Sequence, residues 1–127
     1  MGALILDASV LIGLLDSADP HHSAAVDEVD AVDQAGTQLL TPASAYSEAL
    51  VSFARVDRVA DARRAIAAMG ITVTPLTAPI AERAAELRAR HDRLRLPDAM
   101  VLATAQALGA DLLTYDDRLW RVAESDG

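Results

Sequence analysis

The chain has 127 residues, a length typical of one domain, and 52% of them are hydrophobic, which is enough for a sizeable core. It contains no cysteine and no lysine, since all 11 basic residues are arginine. These absences exclude thiol nucleophiles, zinc–thiolate sites, Schiff-base chemistry and the phosphate-binding loop that requires a lysine. The net charge of -8 argues against broad electrostatic binding of nucleic acid, although cations at a metal site would reverse the local field.

The apolar stretches bear on where the protein resides. No basic segment precedes the first apolar run, which argues against a signal peptide. No stretch approaches the about 20 apolar residues that are needed to span a bilayer. We therefore expect a single cytoplasmic domain over residues 1–127, without a membrane segment.

The first pattern is a short apolar run, residues 3–6, which ends at Asp7 and is followed by Ser9. Such a run is typical of a buried strand in a parallel sheet, and residues 10–15 have the length and spacing of a short helix. This order puts Asp7 at the carboxyl end of a central strand, the edge where open α/β sheets bind ligands. Taken alone, Asp7 is explained better as the N-cap of the helix.

A turn over residues 16–20 leads to His21 and His22, and then to a helix over residues 23–32. Two adjacent histidines point in different directions and make a poor chelate. We therefore expect both to be exposed turn residues and not metal ligands.

A short strand over residues 38–41 precedes a helix that runs to about Ala54. We expect Thr41 to cap this helix and Pro42 to take its first position. Glu48 lies on a narrow stripe of small side chains, which suits close approach to the sheet. A surface glutamate paired with a neighbouring serine explains the residue equally well.

The chain continues with a helix over residues 59–69, a strand over residues 71–74 and a helix from residue 77 or 78 to about residue 90. Residues 88–95 then form the most basic window of the sequence. Such a window could steer an anionic substrate. We expect instead that it is a solvated face.

The longest apolar helix is predicted over residues 99–108, ends at Gly109 and has Asp98 in its first turn. The helix dipole alone would favour a carboxylate there. Residues 110–114 repeat the opening pattern, a short apolar strand that ends at a hydroxyl and then at Asp116 and Asp117. A short last helix follows them.

Strands that alternate with helices indicate an α/β doubly wound fold with a parallel sheet of four to five strands. Parallel strands bring their carboxyl ends, and the starts of the helices that follow, to one edge. Carboxylates gathered there repel one another unless divalent cations neutralise them, and an all-oxygen donor set suits Mg²⁺ or Mn²⁺. We expect the ligands to be Asp7, Glu48, Asp98 and a carboxylate of the adjacent pair Asp116 and Asp117. We expect Ser9 and Thr114 to orient a carboxylate or a metal-bound water.

Four segments together resemble the PIN-domain nucleases, and among these they are most similar to the VapC toxins of toxin–antitoxin pairs. Asp98-Ala99 in an alanine-rich helix and Thr114-x-Asp116 are the more specific parts of the resemblance, which covers essentially the whole chain. The segments are Leu6-Asp7-Ala8-Ser9-Val10-Leu11-Ile12, Glu48, Leu96–Ala105 and Leu112–Asp116.

The resemblance implies a parallel sheet sandwiched between helices, usually in a homodimer, and an Mg²⁺- or Mn²⁺-dependent endoribonuclease that cleaves RNA. It implies a VapB-like antitoxin that blocks the cleft, commonly with an arginine. It assigns metal binding and catalysis to Asp7, Glu48, Asp98 and Asp116, with Ser9, Thr114 and Asp117 in support. Asp117 could share or replace the role of Asp116. Such proteins often end in a further short strand, and residues 124–127 stop where it would begin.

Three other interpretations fit parts of the pattern. A haloacid-dehalogenase-like phosphatase also begins with a strand and an aspartate, but it requires a second acid at the position of Ser9 and a later lysine. A response-regulator receiver domain also requires a lysine. A non-catalytic metal- or partner-binding domain is the third, and a complete set of four acids argues against it.

Overall fold

The computed structural model describes residues 2–126, in which strands and helices alternate along the chain. The strands are β1 (Ala3–Leu6), β2 (Gln38–Pro42), β3 (Ile71–Thr74) and β4 (Asp111–Leu113). The helices are α1 (Ala8–Leu15), α2 (His22–Gln34), α3 (Ala43–Ala54), α4 (Val59–Ala68), α5 (Ala78–Arg90), α6 (Leu96–Leu108) and α7 (Asp117–Asp126).

The strands within residues 2–126 form one four-stranded sheet in the order β3-β2-β1-β4, and every neighbouring pair is parallel. The predicted α/β fold with a parallel sheet is therefore confirmed. Leu6 pairs with Leu113, so the residues that follow β1 and β4 leave the same edge side by side. This register brings Asp7 next to Thr114.

Two apolar cores lie on the two faces of the sheet, because successive side chains of a strand point to opposite faces. In β1, Ile5 belongs to the core that includes α5, α6 and Leu119, and Leu6 belongs to the core that includes α1, α2 and α4. Helix α6 is buried over most of its length, as its nearly uniform apolar composition predicts. It ends at Gly109, whose left-handed backbone (φ 59°) is a conformation that glycine adopts without strain.

The structure corrects the predicted start of α3. Pro42 is the N-cap and the last residue of β2, and the Thr41 side chain makes no cap. Thr41 is fully buried, and its hydroxyl donates to the carbonyl of Leu6 at 2.8 Å. The hydroxyl therefore joins β2 to the end of β1, because a buried donor is satisfied by the nearest available acceptor.

Smaller differences concern three other segments. Helix α6 begins at Leu96, three residues before the predicted start, and Asp98 lies in its first turn as predicted. His22 is the first residue of α2, and its Nδ1 lies 2.7 Å from the carbonyl oxygen of Gly13, so it is less exposed than predicted. Residues 124–126, which stop where the further strand of the family would begin, continue α7, and Gly127 lies outside the described residues.

The helices were also compared with the length of a membrane span. Among residues 2–126, none of them combines the length and the apolar character that crossing a bilayer requires.

Candidate functional site

Asp7 lies at the end of β1, where its carboxylate is almost completely buried with 3% of the residue exposed. It caps α1, since its Oδ1 accepts from the backbone N–H of Val10 at 3.1 Å. Oδ1 also accepts from the hydroxyl of Ser9 at 2.6 Å, and Oδ2 accepts from the hydroxyl of Thr114. The cap predicted from the sequence is therefore present, and it leaves Asp7 held at the sheet edge by two hydroxyl groups.

The same two hydroxyls are fixed by the loop that follows β4. The backbone N–H of Tyr115 donates to Ser9 Oγ at 3.0 Å, and the backbone N–H of Asp116 donates to Thr114 Oγ1 at 3.0 Å. Each hydroxyl therefore accepts one hydrogen bond and donates the other to Asp7. The direction of donation is set, because a backbone N–H cannot accept.

Burial raises the pKa of the Asp7 carboxyl above its ordinary value of 3.8. The hydrogen bonds from Ser9, Thr114 and Val10 act in the opposite direction, and the negative charge of Asp98 raises the pKa further. The two carboxylates therefore lie within electrostatic reach of each other.

Asp98 lies in the first turn of α6 and is buried, with 7% of the residue exposed. Its two oxygens accept from one guanidinium group, that of Arg95, with Nε 3.1 Å from Oδ2 and Nη2 3.4 Å from Oδ1. The Asp98 carboxylate raises the pKa of Arg95 above its ordinary value. This fork-to-carboxylate contact is the geometry in which arginine binds most strongly.

Glu48 reaches the same guanidinium from α3. Its Oε1 accepts from Arg95 Nη2 at 3.2 Å, and the side chain is 32% exposed. Ala45 and Ala49 on the same helix are buried, as the stripe of small residues predicted. Arg95 is thus the partner of Glu48, in place of the neighbouring serine that was the alternative, and it links Glu48 to Asp98.

Asp116 and Asp117 follow β4 and differ in their surroundings. Asp116 Oδ1 accepts from the backbone N–H groups of Arg118 and Leu119, at 2.9 and 3.1 Å, and so caps α7. Its backbone N–H binds Thr114, which places it at the edge occupied by Asp7. Asp117 is exposed in the first turn of α7. Of the two, Asp116 is therefore the one tied to the hydroxyl network of Asp7.

Tyr115 lies beside Ser9, to which its backbone N–H donates. Its ring stacks on that of His21, with centroids 4.4 Å apart and an angle of 12° between the planes. Burial, followed by the negative charge of Glu28, raises the pKa of the Tyr115 hydroxyl to about 12. His21 was expected to be only an exposed turn residue, and the stack gives it a packing role at the site.

A divalent cation fits the chemistry of this edge, because its ligands would all be carboxylate and hydroxyl oxygens. Among residues 2–126, however, no three His, Asp or Glu side chains are arranged to hold one metal ion. The guanidinium of Arg95 lies between Asp98 and Glu48 instead and acts as their cation. The carboxylates therefore already gather around a positive charge.

Arg95 is the residue of this site that the sequence analysis missed, because it was counted in a basic window expected to be solvated. Its side chain is 55% exposed, which is consistent with that expectation. Both of its ion pairs, however, are with Glu48 and Asp98. We call these two carboxylates, together with Asp7, the acidic edge. The signal in the sequence was the spacing of Arg95, three residues before Asp98, at the N-cap of α6. Side chains three apart on a helix lie on the same face.

Comparison with known proteins gives two kinds of result. The family model described as "PIN domain" matches residues 4–125. Among curated proteins, none matches the chain significantly.

Several solved structures share the fold. A toxin–antitoxin complex from Klebsiella pneumoniae is 26% identical, with a TM-score of 0.74 over 90% of this chain and 87% of that chain. VapC20 of Mycobacterium tuberculosis, described as a toxin that cleaves the sarcin–ricin loop, is 20% identical, with a TM-score of 0.74 over 94% of each chain. VapBC2 of Rickettsia felis, bound to a DNA fragment from its promoter, is 10% identical, with a TM-score of 0.75 over 94% of this chain and 92% of that chain.

Proposed function

The chain belongs to the PIN domain family, and from this premise we propose that it is a metal-dependent endoribonuclease that hydrolyses RNA phosphodiester bonds. We further propose that it is the toxin of a toxin–antitoxin pair. The likeness to VapC20, which is described as a toxin that cleaves the sarcin–ricin loop, and to a toxin–antitoxin complex supports the proposal. A phosphatase or a receiver domain would belong to another family.

The observation that carries the proposal is the shared guanidinium contact of Asp98 and Glu48 beside the buried Asp7. Asp98 and Glu48 share the guanidinium of Arg95, and the negative charge of Asp98 acts on the carboxyl of Asp7. Such a grouping is costly without compensating positive charge. A site that concentrates acid at this cost is typical of divalent-metal chemistry.

We propose that Mg²⁺, or Mn²⁺ in its place, is held by Asp7, Glu48, Asp98 and Asp116. When bound, such an ion lowers the pKa of a water molecule and neutralises charge on the phosphate. Ser9 and Thr114 keep both oxygens of Asp7 in fixed directions by donating to them. We assign Asp117 a supporting role at most, since its side chain is exposed.

We infer that two further features help to position the anionic substrate, the start of α6 and the stacked rings of Tyr115 and His21. The amino end of α6 carries Asp98, and its dipole stabilises negative charge near the first turn. Tyr115 and His21 present a stacked pair of rings beside Asp7, and aromatic faces of this kind hold unpaired bases of single-stranded RNA.

The proposed test is cleavage of labelled RNA by the purified protein with Mg²⁺, Mn²⁺ or EDTA. We expect cleavage with either metal and none with EDTA. Asp7→Asn and Asp98→Asn should each lower the rate by more than the about 10–100-fold that loss of an outer-shell partner costs. Asp111→Asn is the matched control, because Asp111 is an exposed carboxylate at the opposite end of β4 and should leave the rate unchanged.

Cleavage that persists in EDTA or in both variants would refute the metal mechanism. Release of phosphate from a small phosphomonoester, without cleavage of RNA, would favour a phosphatase. Binding of Mn²⁺ without any hydrolysis would favour a non-catalytic domain.

We also propose a partner, a VapB-like antitoxin that covers the acidic edge, and support for it comes from the Klebsiella pneumoniae complex. Co-purification with the product of the neighbouring open reading frame, and loss of RNA cleavage in that complex, would test it. The homodimer, the single domain over residues 1–127 and the cytoplasmic location stay predictions.

A further inference from the structure

We propose that Arg95 is a built-in counter-ion of the acidic edge, which a divalent cation must displace before Asp98 and Glu48 can bind it. The inference rests on the proposed function. It adds that Arg95 and the metal ion compete for the same two carboxylates. Arg95 would then lower the affinity of the site for the metal ion.

The geometry gives the reason for competition. Both oxygens of Asp98 and one oxygen of Glu48 accept hydrogen bonds from Arg95, at 3.1 to 3.4 Å. Arg95 Nη2 lies 3.2 Å from Glu48 Oε1 and 3.4 Å from Asp98 Oδ1, so it occupies the space between the two carboxylates from which one ion would reach both. Coordination by Asp98 and Glu48 together therefore requires that the Arg95 contacts break.

The Arg95 side chain is placed so that its contacts with Asp98 and Glu48 can break. Arg95 is the N-cap residue of α6, so its side chain projects from the end of the helix and not from a packed face. The side chain is 55% exposed, so water screens the guanidinium in both ion pairs although its contact with Asp98 is bidentate. A cation with twice its charge competes well for the same oxygens.

Arg95 is also distinct from its neighbours in the basic window. Arg90 contacts Asp126, at the end of α7, and Arg93 is exposed. Arg95 alone among them has its hydrogen bonds on Asp98 and Glu48. The contact is therefore specific to one arginine, and a control arginine lies two residues away.

The test compares Mn²⁺ binding to the wild-type protein, Arg95→Gln and Arg93→Gln by calorimetry at one ionic strength. Removal of one positive charge beside the metal site should tighten Mn²⁺ binding about fivefold in Arg95→Gln, which is the size of a charge pair at close range that water screens. Arg93→Gln should bind Mn²⁺ as the wild type does. Circular dichroism checks that both variants are folded.

A second measurement follows the guanidinium itself. In ¹⁵N-labelled protein the Nε–H signal of Arg95, which is bonded to Asp98, should shift as Mg²⁺ is added, and that of Arg93 should not. Equal or weaker Mn²⁺ binding in Arg95→Gln, or an Arg95 signal that stays fixed at saturating Mg²⁺, would overturn the inference and leave the proposed function intact. Absence of Mn²⁺ binding in all three proteins would overturn the proposed function, and this inference with it.

Discussion

Thr114 donates its hydroxyl to Oδ2 of Asp7, a contact that joins residues 107 positions apart in the chain. It forms because β1 and β4 are parallel neighbours, with Leu6 opposite Leu113. The first and last strands thus supply one carboxylate and the hydroxyl that orients it. This contact therefore depends on the long-range pairing of the strands.

This contact predicts the effect of Thr114→Val. The variant loses the donor to Asp7 and leaves the backbone N–H of Asp116 without its acceptor. We expect a loss of about 1–3 kcal/mol in the free energy of unfolding, because the Asp7 carboxylate is buried and the Asp116 N–H is partly buried. We expect RNA cleavage to fall by about 10–100-fold, as for other partners of metal ligands. Urea titration and cleavage kinetics measure the two effects.

Two further variants separate the role of the Thr114 hydroxyl in orienting Asp7 from the general effect of replacing a threonine. Thr114→Ser keeps the hydroxyl and should recover most of the cleavage rate. Thr72→Val changes an exposed threonine of β3 and should alter stability by no more than about 0.5 kcal/mol. If Thr114→Val cleaved RNA as fast as the wild type, the hydroxyl would have no part in orienting Asp7.

The choice between Asp116 and Asp117 is the second prediction. Asparagine caps a helix as well as aspartate does, so Asp116→Asn should keep α7 stable while it removes the negative charge. We expect more than tenfold slower RNA cleavage in Asp116→Asn and an unchanged rate in Asp117→Asn. Asp116→Ala should in addition cost about 1 kcal/mol through loss of the cap. Slow cleavage in Asp117→Asn alone would assign the role to Asp117.

The sequence was sufficient for the elements whose signals are local. The apolar run before Asp7, the glycine at the end of α6 and the alternation of strands with helices predicted the α/β fold, and the sheet of β1 to β4 confirms it. Parallel topology then predicted that Asp7 and Asp98 share an edge. Both inferences need only the order of the elements.

The contacts of flexible or cross-strand side chains could not be predicted in the same way. Thr41 matched the pattern of a helix cap, but the strand beside it offered the carbonyl of Leu6, which no local pattern reveals. Arg95 has a long side chain with many rotamers, and its pairing with Glu48 spans 47 residues. Such contacts depend on the distances between helices, which the sequence pattern leaves open.

A third prediction concerns the cost in stability of burying the ionised carboxylate of Asp7. Burial raises the pKa of its carboxyl, so the folded protein favours the neutral form relative to the unfolded chain. Asp7→Asn should therefore raise the free energy of unfolding of the metal-free protein at neutral pH, and it should abolish RNA cleavage. The gain should vanish below the ordinary pKa of 3.8, where the wild-type carboxyl is protonated in both states. A less stable variant at neutral pH would show that the hydrogen bonds of Asp7 outweigh its burial.

The fourth prediction concerns a carboxylate far from the site, that of Asp126 at the end of α7. It accepts from Gln106 and Arg83, each at 2.9 Å, and lies 3.1 Å from His91 Nε2, with 5% of its side chain exposed. These contacts tie α7 to α5 and α6, and the hydrogen bond from Gln106 contributes most to lowering the pKa of Asp126 below its ordinary value of 3.8.

A lowered pKa means that the folded state favours the ionised form of Asp126. Its contribution to stability is therefore complete above pH 3.8, and it is lost as the pH falls through the lowered value in the folded protein. Asp126→Asn should lower the melting temperature at pH 7, and the difference from the wild type should shrink below pH 3.8. Asp92→Asn, an exposed carboxylate near His91, should show no such dependence. A constant difference between Asp126→Asn and the wild type at every pH would mean that shape, and not charge, holds α7 in place.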